Sequence, residues 1–155
     1  MPCSEYYFRL VFLTRIATKR LQQIFTDRYE QSKGLCWHSS QAKAFLDSEQ
    51  GVKLTKDQKS TIKRKLPEEW DISLIAAILL NSSLLNDAQI KKHIQQLKKI
   101  RNAIAHNVTM SVSVDDFSKN WQDMEKILLA FGESSTKLEQ LKNSGTMKKS
   151  NISKL

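Results

Sequence analysis

In the stretch KKIRNAIAHN, Lys98 to Asn107, three residues have the types and spacing to do chemistry: Arg101, Asn102 and His106. An imidazole titrates close to neutral pH and can take or give a proton. A guanidinium presents a planar fork of donors that holds phosphate oxygens and stabilises negative charge as it develops. Asn102 falls one helical turn before His106, placed to orient the ring or a phosphate. Phosphate-directed acid–base chemistry is what this set suits.

The helix that must carry these residues is legible from its apolar spacing. Ile90, Ile94, Leu97, Ile100 and Ile104 form one stripe, with Asn86 or Asp87 expected to start the element. At about 100° per residue, Asn102 and His106 project from the opposite side, near Lys91, Lys98 and Lys99, so the histidine belongs to a polar, basic face. Arg101 lies five residues before His106 and about 140° away round an unbroken helix, so the two do not stack directly. Three arrangements resolve this: the guanidinium curls on its long stem, the helix loosens near His106, or a second copy supplies the missing partner. The same residues also suit a plain helix terminus. There a histidine favours the negative end of the dipole, an asparagine at 107 tolerates the left-handed cap conformation, and Arg101 is a flanking residue with an apolar stem.

The remaining elements also read as helices. From Ser4, a fitting N-cap, Leu10, Val11, Ile16, Leu21, Ile24 and Phe25 recur at helical spacing, giving a long first helix that fades near Gly34. A short helix is expected over Ser40 to Asp47. Another runs from Thr55 to Leu66 with Thr55 as its cap, closed by Pro67. Asp71 caps DISLIAAILLNSS, whose near-continuous apolar character marks the most buried helix. In VDDFSKNWQDMEKILLAFG, Asp115 or Asp116 suits the cap, Phe117, Trp121, Met124 and Leu128 face inward, and Gly132 ends the helix. TMSVSV is a brief β-like run, too short to predict a strand with any force. After Gly132 the composition turns to Ser, Thr, Lys and Asn, predicting a flexible basic tail over 133–155, with a frayed turn at Leu138 to Leu141. The expectation is an all-α bundle of about five to six helices over 4–132, followed by that tail.

Composition narrows the classes further. A chain of 155 residues suits one domain with a core that needs no disulfide or metal staple. Its two cysteines, Cys3 and Cys36, form no C-x-x-C pair, and no histidine cluster has ligand spacing, so neither a zinc module nor a disulfide scaffold is expected, and no metal site or cofactor. The apolar run Tyr6 to Leu13 is broken by Arg9 and followed by Arg15, Lys19 and Arg20 without a small-residue cleavage site, unlike a signal peptide. No apolar segment has the length of a membrane span. The net charge of +9 gathers at Lys53, Lys56, Lys59, Lys63, Arg64 and Lys65, and at Lys91, Lys92, Lys98, Lys99 and Arg101. Such clusters attract a polyanion or simply form solvated helix faces. Trp70 and Trp121 read as core residues, and His38 and His93 have no partner at useful spacing.

In order along the chain, YYFRLVFLTRIATKRLQQIF, WDISLIAAILL, LKKIRNAIAHN and DDFSKNWQDMEKILLAFG resemble the HEPN superfamily, the higher-eukaryote and prokaryote nucleotide-binding helical domains. The resemblance is to the branch found in the DAZ-interacting zinc-finger ubiquitin ligase and in many animal proteins with immune-type domain architectures. It covers roughly residues 4 to 132. Its most specific parts are Trp70, Asp71 and the aliphatics after them, Arg101-Asn102-x3-His106, and the Asp116, Phe117, Trp121 spacing.

The resemblance implies a helical bundle that dimerises, with the arginine and histidine of both copies facing one cleft. Many members are metal-independent endoribonucleases, while others bind RNA or act as dimerising adaptors. Arg101 then matches the family arginine, Asn102 the polar residue beside it and His106 the histidine. Lys91, Lys98 and Lys99, on the basic face beside them, are the expected RNA-binding residues. In the cleavage this implies, the 2′-hydroxyl of RNA attacks the adjacent phosphorus. Histidines act as base and acid across the dimer, and Arg101 steadies the charged transition state. No metal is needed, and DNA, lacking the 2′-hydroxyl, is not a substrate. The expected partners are RNA and a second HEPN chain. The expected compartment is the cytoplasm, with Ser153-Lys154-Leu155 as an alternative peroxisomal address.

Overall fold

A computed structural model describes residues 4–48 and 54–143. Among them the fold is all-α, with seven α-helices: α1 (Ser4–Lys33), α2 (Ala42–Ser48), α3 (Lys56–Arg64), α4 (Ile72–Asn81), α5 (Ala88–Ala105), α6 (Val114–Ala130) and α7 (Ser135–Asn143). Short 3-10 turns occupy Ser39–Gln41 and Pro67–Glu69. TMSVSV forms no strand; Val112 alone has a bridge conformation, and Val114 already belongs to α6.

Local chemistry accounts for the helix boundaries. The αL residue Gly34, at φ +73°, ends α1, its N–H donating to Glu30 O at 2.8 Å. Thr55 and Gln58 cap α3 reciprocally, Thr55 Oγ1 accepting from Gln58 N and Gln58 Oε1 from Thr55 N. Asp71 caps α4 as expected, its Oδ1 accepting from Leu74 N at 2.9 Å. The expected cap of α6 requires correction. The cap is Ser113, whose Oγ accepts from Asp116 N at 3.2 Å. Asp115 and Asp116 lie instead in the first turn, where carboxylates favour the positive end of the helix dipole.

The chain divides into two compact units, 1–20 with 95–155 and 21–94, so α1 and α5 each contribute residues to both. The second unit is built round an aromatic cluster. Phe25, Tyr29, Trp37, Phe45 and Trp70 meet mostly edge to face, at centroid distances from 4.9 to 6.1 Å. Trp70 is tied at its ring and its backbone, with Nε1 donating to Lys65 O, its N–H to Pro67 O, and its carbonyl accepting from Gln22 Nε2. Tyr29 donates to Gln41 Oε1, and burial raises its phenol pKa. From α4 the same unit gains Ile72, Leu74, Ile75, Ala76, Ile78 and Leu79, all buried, so this helix has the apolar character its sequence predicts.

In the first unit Leu10, Leu13, Ile16 and Ala17 of α1, Leu97 and Ile100 of α5, and Phe117, Trp121, Met124, Ile127 and Leu128 of α6 are buried. Tyr6 stacks on Phe117 at 4.4 Å. Gly132, at φ +94°, ends α6: Gly132 N donates to Leu129 O and Glu133 N to Leu128 O, the paired bonds of a Schellman motif.

The stretch from Glu133 differs from the expected tail. Residues 135–143 form α7, with Leu138 only 1% exposed, and Glu133 is buried against Arg20 at 2.9 Å. Polar composition concealed a helix with a buried Leu138, an ion pair from Lys137 to Glu133 at 3.5 Å and a hydrogen bond from Arg9 Nη1 to Lys142 O at 3.3 Å. Residues 144–155, including Ser153-Lys154-Leu155, lie outside the described residues, as do Cys3 and Lys53.

Candidate nucleic-acid interface

The last turns of α5 position the motif. Its carrier helix contains no acidic residue between Ala88 and Ala105, and five cations: Lys91, Lys92, Lys98, Lys99 and Arg101. Leu97 and Ile100 anchor it inward, leaving Lys99 and Asn102 exposed and Lys98 and Arg101 half-buried. Lys91 belongs to the part of α5 that clusters with the other unit.

The helix stops at His106. Its N–H still donates to Asn102 O at 3.0 Å, but Asn107 N donates to Ile104 O, a tighter three-residue turn that closes the element. His106 is exposed, and its imidazole has no hydrogen-bond partner among the described residues. Thus Asn102 and His106 sit one turn apart on the open face, as their spacing predicts. Arg101 approaches Asn102, with Nη1 to Oδ1 at 3.4 Å, a long and weak contact. No hydrogen bond joins Arg101 to His106, in keeping with their angular separation round the helix.

Asn107 has a different role from the left-handed cap its residue type suggested. Its side chain organises the following loop: Nδ2 donates to Ser111 O at 2.9 Å, and Oδ1 accepts from Thr109 Oγ1 at 3.0 Å. Thr109 Oγ1 also meets Ser111 Oγ at 3.0 Å. The left-handed residue is Met110, at φ +51°. Hydrogen-bonded in this way, the loop presents Val108, 92% exposed, and Met110, 48% exposed, and with Val114 at the start of α6, also 48% exposed, they form an apolar rim. Sequence reading missed the rim. The signal was available in Asn107-x-Thr109-x-Ser111, polar side chains spaced to bond one another over a short turn.

An exposed Lys99, a half-buried Lys98 and Arg101, and an exposed imidazole without a hydrogen-bond partner among the described residues make a surface that favours an anion and can exchange a proton with it. No group of three or more His, Cys, Asp or Glu side chains suitable for a metal occurs among the described residues. No helix among them is long and apolar enough to cross a membrane.

A family model described as DZIP3/hRUL138-like HEPN matches residues 18–152, which takes in the Trp70-Asp71 pair, the Arg101 to His106 motif and Trp121. The chain belongs to this HEPN family. The match begins inside α1 and runs past α7. Neither a curated protein nor a solved structure matches the chain. Within this HEPN domain the basic, acid-free α5 carries the arginine that the resemblance singled out, and the histidine follows in the turn that ends the helix.

Proposed function

We propose that this HEPN domain acts on RNA as a dimeric, metal-independent endoribonuclease in which Arg101 and His106 are catalytic. The observation that carries the reading is the exposed, unpartnered His106, one turn beyond exposed Asn102 at the end of an acid-free basic helix. In this reading Lys98 and Lys99 draw in the phosphate backbone, with Lys91 earlier on the helix adding to the attraction. Arg101 holds the non-bridging oxygens of the scissile phosphate. His106 takes the proton of the 2′-hydroxyl as that oxygen attacks phosphorus, and the histidine of a second copy protonates the departing 5′-oxygen. The products are a 2′,3′-cyclic phosphate and a free 5′-hydroxyl. Two copies of the motif supply the base and the acid, so one helix need not bring Arg101 and His106 together.

The deciding experiment incubates purified protein with single-stranded RNA in the presence of a chelator. Cleavage leaving cyclic phosphate ends is expected, with His106→Ala slower by about 10²- to 10⁴-fold and unchanged in its circular dichroism. Intact RNA with the unaltered protein defeats the nuclease reading.

A second reading is favoured by the exposed Val108, Met110 and Val114 beside the motif, whose apolar side chains suit a protein contact. There the domain is a non-catalytic adaptor that dimerises or binds RNA. His106→Ala then leaves RNA binding and dimerisation unchanged.

A further inference from the structure

The second unit carries a basic helix that the motif does not use. Lys56, Lys59, Lys63 and Arg64 of α3, with Lys65 immediately after it, are all exposed. At about 100° per residue, Lys56, Lys59 and Lys63 fall within one arc of about 60°, spread over about 10 Å of helix axis. The ion pairs found among the described residues, Arg9 with Glu5, and Arg20 and Lys137 with Glu133, engage none of the five. Arg64 Nε donates only to Ser60 Oγ, at 3.1 Å. Acidic groups nearby in sequence are Asp57, in the helix's first turn, and Glu68 and Glu69 in the following 3-10 turn, where Glu69 Oε2 is occupied by Leu66 N.

This pattern opposes the local stability of the helix. An exposed helix gains from opposite charges three or four residues apart, yet Lys56 with Lys59 and Lys59 with Lys63 are like-charge pairs at those spacings. The element forms because Thr55 and Gln58 cap it and Ile62, fully buried, anchors it; α2 and the 3-10 turn at Ser39–Gln41 pack against it. A local rule broken on an exposed face points to a charged partner that offsets the repulsion.

We infer that α3 is a second RNA-contacting surface, in which Lys56, Lys59 and Lys63 bind the phosphate backbone without reading sequence. The inference rests on the RNA-directed reading of the motif and adds a separate contact to it. A phosphate backbone fits this face better than an anionic membrane does. Interfacial helices insert an apolar face, whereas Ile62, the apolar side chain of α3, is spent inside the unit.

The test compares the intact chain with a Lys56→Gln, Lys59→Gln, Lys63→Gln triple variant, measuring affinity for two labelled single-stranded RNAs of unrelated sequence from about 50 to 200 mM salt. Losing three phosphate contacts lowers the slope of log affinity against log salt by about 2, so the gap between the proteins closes by roughly 20-fold across that range. The loss is equal for both RNAs, and a Lys→Arg triple restores binding. Equal affinity and slope in the Gln triple, with RNA bound by the unaltered protein, overturn the α3 surface and leave the motif reading standing. No RNA binding by the unaltered protein overturns both. Loss of binding to phosphatidylserine vesicles with unchanged RNA affinity also overturns the proposal and assigns the face to membranes.

Discussion

At the scale of single residues, the site depends on what each side chain is free to do. His106 is exposed and has no hydrogen-bond partner among the described residues, whereas Asn107, its neighbour, bonds Ser111 through Nδ2 and Thr109 through Oδ1. Two polar residues side by side therefore divide into one available for chemistry and one that builds the loop. Arg101 invites a sharper test than deletion. If it grips a phosphate through two parallel N–H donors, Arg101→Lys keeps the charge but loses the fork. Cleavage by Arg101→Lys is then expected to fall about as far as in Arg101→Ala, while RNA affinity falls only in the latter. Steady-state cleavage and fluorescence anisotropy on the same RNA check this. Full activity in Arg101→Lys reduces the residue to a generic cation.

At the scale of elements, boundaries decide which residues are presented. α5 ends at the motif, and the cross-bonded loop returns the chain to Ser113, which caps α6. The far end of α6 depends on backbone conformation at Gly132. With φ at +94° and no atom within 4 Å of an added Cβ, Gly132→Ala meets no clash, only the left-handed backbone penalty. A loss of about 1 to 2 kcal/mol on chemical denaturation is expected. Gly34→Ala, at φ +73° and equally uncrowded, gives a comparison of the same kind in the other unit. α3, α4 and the glycine stops of α1 and α6 were all legible in sequence because their signals are local: a cap, a proline, a glycine. The cap of α6 was misplaced because Ser113, Asp115 and Asp116 are all good cap residues, and the choice among them depends on how the preceding loop enters the helix.

At the scale of the whole molecule, the C-terminal segment joins the first unit through Glu133, Arg20 and Leu138. The Arg20 guanidinium, hydrogen-bonded to Glu133, holds that carboxyl below its ordinary range. Burial pushes the other way, and Lys137 and the Ser134 N–H help lower it. A carboxyl depressed in the folded state stabilises the fold above its unfolded pKa of about 4.3, and that contribution is lost as pH falls through the depressed folded value. Thermal melts of the parent and Glu133→Gln are therefore expected to differ most near neutral pH and to converge in acid. A constant difference across that window excludes the ion pair as its source.

Sequence alone determined the helical class, the apolar stripe of α5, the outward placement of Asn102 and His106, and the HEPN assignment. Each of these is written in periodicity or in ordered short motifs, which survive without knowledge of neighbours. Tertiary structure alone decided that the polar stretch after Gly132 folds as α7, that Trp37 joins the aromatic cluster, and that Val108 and Met110 stand exposed beside the motif. Those outcomes depend on partners distant in the chain, such as Arg20 for Glu133 and Phe25 for Trp37. Where a segment lacks a strong apolar stripe, its burial is decided by the space between elements, which local patterns do not encode.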